Sequence, residues 1–287
     1  LRSSLGVSGA KYFGLIRFLV GIFMFGIQTY FLSKAFTYLI RIAIFSFEPS
    51  LLEQDILLTF LLGLNVIDWT SIIIAFLFQT FLFSTGMLFN RKLIRFSAVI
   101  VYVGLIVFFL SILLSDVKFT SQAFIDSLDF ENFIDIKNLA PLVTVTGTIF
   151  AFFSIIILSF GDFSRYVKNE NELKKGNFSL IFNLIIFSIL ALFIVVGVDT
   201  FIEKNPENLS QILTNPSDII GKLDNLIIII LSLIFILVAS ASTNLIANFI
   251  PSQYTLINLA PSSLSLKSAS IIIAFLGFLI GVFWLSY

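Results

Sequence analysis

A chain of 287 residues that is 58% apolar and only 12% charged, with a mean hydropathy of +1.06, does not fit a soluble domain of that size. It fits an all-α integral membrane protein with several helical spans. The absence of cysteine and histidine excludes disulfides, thiolate chemistry, imidazole acid–base work and most zinc sites, and the net charge of zero hides 17 basic and 17 acidic residues that are sorted along the chain.

Seven apolar runs are long enough to cross a bilayer: about 12–45, 68–88, 93–114, 141–160, 178–198, 226–250 and 269–287. A short polar lead with Arg2, Gly6, Gly9 and Lys11 precedes the first run, which Gly21 and Gly26 interrupt and which ends near Arg41. After a polar turn, residues 56–66 read as a short helix lying at the interface. Asn90, Arg91 and Lys92 turn the chain into the third span, and residues 116–140 form an acidic loop. Pro141 opens the fourth span as a first-turn residue. A Lys-rich loop leads to the fifth span, and an acidic loop with Pro206 and Pro216 leads to the sixth. A Pro-bounded loop precedes the seventh. The chain begins with Leu1 rather than Met and stops at Tyr287 inside a hydrophobic run, so it reads as a piece of a longer protein cut at both ends.

Seven spans alternate sides, and the charges distinguish the two. The side of Leu1, of the Asn90 turn, of the 165–175 loop and of Lys267 carries 11 of the 17 Lys/Arg and 3 of the 17 Asp/Glu. The other side carries the remaining 6 and 14. Lys and Arg favour the cytoplasmic face, which predicts that the Leu1 end lies inside and the Tyr287 end outside; the expected location is the cell inner membrane.

Polar residues within spans are few, and each is a candidate for function. The sixth span is the richest. Its hydrocarbon run gives way to Ala239-Ser240-Ala241-Ser242-Thr243-Asn244-Leu245-Ile246-Ala247-Asn248, ahead of Pro251. At ~100° per residue, Ala239, Ser242 and Thr243 share one face, with Asn244 and Asn248 on another. Close helix approach explains the Ala and Ser residues; two carboxamides one turn apart favour a binding face. In the first span, Gln28 sits beside Gly26, and a bond to a neighbouring helix explains it as well as a ligand role does. In the fourth, Thr144, Thr146, Gly147 and Thr148 suggest a helix able to unwind, with hydroxyl bonding to the helix carbonyls as the plainer alternative. Lys34 and Arg41 read as side chains snorkelling to the interface.

Three stretches carry a resemblance to a known family. Leu5-Gly6-Val7-Ser8-Gly9-Ala10, then Arg17, then Phe25-Gly26-Ile27-Gln28-Thr29-Tyr30 resemble the third helix of the nucleobase:cation symporters, the cytosine, uracil, allantoin and hydantoin permeases. Gly161-Asp162-Phe163-Ser164-Arg165-Tyr166 is similar to the signature after their sixth helix. The Ala239–Asn248 stretch, with Asn258-Leu259-Ala260-Pro261 beyond it, resembles their eighth helix and the loop that follows. The resemblance covers essentially the whole chain. It implies a twelve-helix transporter with a five-plus-five inverted-repeat core, of which residues 1–287 form one transmembrane domain holding helices three to nine.

The resemblance also implies roles. The sodium ligands of the family match Ala239, through its carbonyl, and the hydroxyls of Ser242 and Thr243, hard oxygens suited to a hard cation. The substrate carboxamides match Gln28 and Asn248, and a ring-stacking aromatic matches Phe153, beside Phe152. Where members of the family often carry Trp, this chain has Met24 in the third helix and Phe153 in the sixth, a softer grip on a flat ligand. The implied activity is import of a nucleobase-like heterocycle by symport with sodium, or with a proton, through alternating access. The implied partners are that small molecule, the cation and the lipid bilayer, without an organic cofactor or nucleic acid. Two other classes compete: a seven-helix receptor, against which the inside start argues, and a membrane-embedded enzyme, for which only Asp162 and the Ser/Thr groups are available.

Overall fold

The computed structural model describes residues 2–54, 59–115, 125, 139–164, 167–203 and 226–285. Their regular structure is helical, with one isolated bridge between Leu61 and Leu64. The helices are α1 (Arg2–Phe47), α2 (Val66–Ser84), α3 (Met87–Ser115), α4 (Leu139–Leu158), α5 (Phe160–Ser164), α6 (Glu170–Glu203), α7 (Leu226–Asn244), α8 (Ile250–Leu259) and α9 (Leu266–Leu285). A π-helical turn, Leu245–Phe249, joins α7 to α8. Among the described residues, six stretches are long and apolar enough to cross a membrane: Gly6–Phe47, Val66–Ser84, Leu88–Leu110, Glu170–Ile194, Leu226–Leu259 and Leu266–Phe283. Leu142–Ala151, in the expected fourth span, is a shorter apolar stretch. Nearly all of the acidic 116–140 loop, the 204–225 loop, Arg165, Tyr166 and Tyr287 lie outside the described residues.

The chain forms two compact units, Leu1–Ile100 with Asn215–Tyr287, and Val101–Thr214. In the first, α1 is the central element, against which α2, α7, α8 and α9 all lie. Gly21 and Gly26 do not interrupt α1. They are points where neighbouring helices approach its backbone closely. A Cβ at Gly26 would stand 2.5 Å from the Gly277 carbonyl oxygen and 3.1 Å from the Gly281 nitrogen, and a Cβ at Gly21 would strike the Ser252 hydroxyl. Gly277 and Gly281 are spaced i, i+4 on α9, the small-residue spacing that lets two membrane helices touch through their backbones. Phenylalanines close the remaining space: Phe25 meets Phe249 at 5.3 Å and Phe76 at 5.7 Å, and Phe83 meets Phe249 at 5.0 Å between ring centres. The far side of α2 is apolar and outward: Ile73, Leu77 and Phe81 are all exposed, whereas Ile72, Phe76 and Phe83 are buried. Apolar side chains on both the inner and the outer face suit a helix surrounded by lipid.

Several boundaries differ from expectation. Of 56–66, residues 59–66 are described: Val66 opens α2, and 59–65 form a tight turn rather than an interfacial helix, with Leu62 and Gly63 at positive φ. It ends on Asn65, which caps α2: its side chain accepts from the Asp68 amide at 2.9 Å, and Asp68 accepts from the Asn65 amide at 3.4 Å. The turn between α2 and α3 falls at Thr85–Gly86, not at Asn90-Arg91-Lys92, because Gly86 alone takes the required φ of 108°. Asn90 is instead buried in α3 and donates to the Phe83 carbonyl at 3.1 Å, tying the two helices together. Lys34 does not simply snorkel. Its ammonium lies 4.0 Å from Asp68 and 5.1 Å above the Tyr30 ring. The sixth span does not stop before Pro251, since α8 carries the helix on to Leu259.

In the second unit, Tyr102 donates to Asn183 Oδ1, joining α3 to α6, and the Phe109 and Phe193 rings meet at 4.6 Å. The Thr-rich start of α4 is unbroken helix. Thr144 and Thr148 donate to the carbonyls of Ala140 and Thr144, each at 2.9 Å, so the plainer reading of those threonines is the one observed.

Candidate functional site

The π turn explains how the carboxamides of the sixth span reach α1. Pro251 has no amide hydrogen, so a regular α-turn across it would leave a carbonyl without its partner. The wider turn absorbs the fault: the Ile250 amide reaches back to the Leu245 carbonyl, one residue further than in an α-helix. The chain then continues into α8, where Pro251, Ser252, Gln253 and Thr255 are buried. Thr255 accepts from Arg17 Nε at 2.8 Å, and Gln253 donates to Ser270 at 2.7 Å, so α8 is pinned to both α1 and α9.

Within this frame, side chains from three helices meet. Asn248 donates through Nδ2 to Gln28 Oε1 and to Asn244 Oδ1, both at 2.8 Å. Asn244 donates to Gln79 Oε1 at 2.9 Å and to Thr29 Oγ1 at 3.0 Å. Gln79 Nε2 also reaches Thr29 Oγ1, at 3.0 Å. Thr29, Gln79 and Asn244 are 0% exposed and Asn248 is 3% exposed, so a group left unbonded here would cost roughly 1–3 kcal/mol. Gln28 is half-buried at the end of this chain, and Met24 lies one turn before it on α1, also half-buried. Sequence reasoning missed Gln79 altogether. As the lone carboxamide of its span, it was open to the same rule that singled out Gln28.

Ala239, Ser242 and Thr243 come together as well. Ser242 Oγ and Thr243 Oγ1 both donate to the Ala239 carbonyl, at 2.9 and 3.0 Å. Helical Ser and Thr commonly bond back in this way; here both converge on one oxygen. The resulting three oxygens are hard donors of the type alkali and alkaline-earth cations take, and they fill half or less of such a coordination shell. Phe153 is half-buried on α4 in the second unit, and the Phe152 side chain lies outside the described residues. Among the described residues no His/Cys/Asp/Glu group is arranged to hold a metal ion.

Comparison with known proteins gives this constellation a context. The family model described as permease for cytosine/purines, uracil, thiamine, allantoin matches residues 1–287. The chain belongs to this family. The permease family consists of multi-span membrane transporters, not enzymes or receptors, so those two competing classes fall away. Among curated relatives, the purine-uracil permease NCS1 of Arabidopsis thaliana is 26% identical over 281 residues, which is 96% of this chain and 43% of that protein. The allantoin permease of Bacillus subtilis (strain 168) is 28% identical over 133 residues, 46% of this chain and 26% of that protein. The chain thus spans less than half the length of the curated permeases it matches. No solved structure matches it.

Proposed function

We propose that the chain is the central part of a secondary active transporter that imports a nucleobase or related flat heterocycle, of the cytosine, uracil, allantoin or hydantoin type, by symport with sodium. The observation that carries this reading is the Asn248–Gln28 bond, 2.8 Å long, which sets two carboxamides from different helices side by side inside a membrane protein. Such a pair offers the complementary donor and acceptor that the amide-like edge of a heterocycle needs. Gln28 and Asn248 bind that edge, with Met24 one turn before Gln28 on α1; the family resemblance assigns the ring-stacking role to Phe153, beside Phe152. The Ala239 carbonyl and the Ser242 and Thr243 hydroxyls hold the cation, with helices outside residues 1–287 completing its shell. Release follows by alternating access around a site near mid-membrane, in a five-plus-five inverted-repeat core. The charge asymmetry of the loops supports an orientation with the Leu1 end cytoplasmic, and the cell inner membrane is the proposed location.

The test is uptake of labelled uracil, cytosine, allantoin and hydantoin by the full-length protein in proteoliposomes, under a sodium gradient, a pH gradient or neither. Uptake of at least one ring driven by sodium supports the whole reading. Uptake driven only by the pH gradient replaces sodium with protons and removes the cation role of Ser242 and Thr243. No uptake of any ring under either gradient sinks the substrate assignment.

A further inference from the structure

We propose that Gln79, Thr29 and Asn244 are positioning residues whose hydrogen bonds fix which atoms of the Asn248 and Gln28 carboxamides meet a ligand, so that the site offers one acceptor and one donor to a ring edge carrying N–H beside C=O. The proposal rests on the reading of Asn248 and Gln28 as ring-binding groups and concerns the layer behind them.

A carboxamide has nearly the same shape at its two ends but opposite hydrogen-bonding character, so its partners decide which end faces where. Here that decision begins at two backbone carbonyls, which can only accept. The Phe25 carbonyl takes the Thr29 hydroxyl proton at 2.7 Å, which leaves Thr29 Oγ1 as an acceptor. Gln79 Nε2 and Asn244 Nδ2 both donate to it at 3.0 Å. Each of these amino groups also reaches a carbonyl, Gln79 that of Ala75 at 3.5 Å and Asn244 that of Phe25 at 3.4 Å. Gln79 Oε1 is thereby turned to accept from Asn244 at 2.9 Å, and Asn244 Oδ1 is turned the other way, toward Asn248. Asn248 must answer with Nδ2, which donates both to Asn244 Oδ1 and to Gln28 Oε1. The atoms left over are Asn248 Oδ1, an acceptor, and Gln28 Nε2, a donor.

Turning the Asn248 amide over would set its oxygen against two other amide oxygens, so the orientation is self-consistent from Phe25 to Gln28. A ring with N–H next to C=O satisfies both free atoms. A ring alkylated on both nitrogens offers acceptors alone and leaves Asn248 Oδ1 without a donor. The relay therefore acts as a polarity filter on the ligand edge.

The experiment measures competition by uracil and by 1,3-dimethyluracil against whichever labelled ring the full-length protein takes up, in proteoliposomes. The readout is the ratio of their half-inhibitory concentrations. Gln79→Met and Thr29→Val each remove an anchor of the relay and let the Asn248 amide turn, which should shrink the wild-type ratio by about tenfold. Thr29→Ser keeps the hydroxyl and should restore the ratio. The bulk of the methyl groups is the same in every variant and cancels. Should Gln79→Met fail to fold, the Thr29 pair decides. A role confined to stability would lower protein yield and maximal rate for all rings alike and leave the ratio unchanged; that result overturns the relay while wild-type uptake still supports the transport reading. Absence of any ring uptake by the wild type defeats the transport reading, and the relay with it.

Discussion

Asn248 and Gln28 are 220 positions apart in sequence, yet their side-chain amides are joined across 2.8 Å. The bond exists because the π turn delivers Asn248 to the face of α1 that carries Gln28. Loss of Asn248 strands two acceptors at once, Gln28 Oε1 and Asn244 Oδ1.

Asn248→Ala is accordingly expected to weaken ring uptake by roughly 1–3 kcal/mol even at saturating sodium. Thr243→Ala leaves the amide network intact and removes one of the three converging oxygens. It should raise the sodium concentration for half-maximal uptake and weaken the ring only when sodium is limiting, because the two affinities are linked reciprocally. Sodium titrations of uptake in both variants check this. Identical behaviour of the two variants would show that the two sites are not separate.

Gly26→Ala places a methyl group 2.5 Å from the Gly277 carbonyl oxygen, backbone against backbone, where neither side can rotate away. A cost of about 1–3 kcal/mol is expected from overpacking, seen as a lower melting temperature in detergent. Gly147→Ala is the contrast. Nothing lies within 4 Å of a Cβ there, and the gain in helix propensity should make the change neutral or stabilising by up to about 1 kcal/mol. Equal destabilisation by the two would mean that the α1–α9 contact is not close.

Arg17 and Thr255 are joined at 2.8 Å between α1 and α8. Thr255→Val, which keeps the shape and removes the acceptor, should cost about 1.5–3 kcal/mol, the range for a hydrogen bond to a charged group. In a double-mutant cycle with Arg17→Met the two losses should fall short of additivity by about 0.5 kcal/mol or more. Strict additivity would show that the contact contributes nothing.

Asn65 caps α2 reciprocally with Asp68, whose carboxylate also accepts from Thr37 at 3.2 Å. Asn65→Ala should lower stability by about 0.5–2 kcal/mol, and Asn65→Ser much less, since a hydroxyl can accept the same amide. Chemical or thermal unfolding of the two variants separates capping from a general effect of substitution. Equal losses would argue against the cap.

Six of the seven expected spans coincide with stretches long and apolar enough to cross a membrane, because length and apolarity suffice to mark such a helix, and the fourth holds only the shorter Leu142–Ala151. Gln28, Asn244 and Asn248 stood out because carboxamides are costly in lipid. The turn at Gly86 was not legible, since one glycine among 15 gives no sign of its φ, while Asn90-Arg91-Lys92 looks more like a loop. The continuation past Pro251 was hidden for a related reason: proline ordinarily ends a helix, and only the backbone shows the wider turn that accommodates it. Gln79 could be flagged, but its connection to Asn244, 165 positions away, belongs to tertiary structure alone. The two faces assigned to the sixth span at 100° per residue assumed one uniform helix, whereas the regular α-helix ends at Asn244 and the π turn begins at Leu245.

The π turn at Leu245–Phe249 also bears on how such chains are compared. A turn closed by an i to i+5 bond holds one residue more than an α-turn over nearly the same stretch of axis. A relative that crosses this stretch as plain α-helix would therefore need one residue fewer between Asn244 and Pro251 to keep both positions facing α1. An ungapped alignment of the two would hold up to Asn244 and slip by one place from Pro251 to Leu259, pairing Thr255 with a position that faces elsewhere.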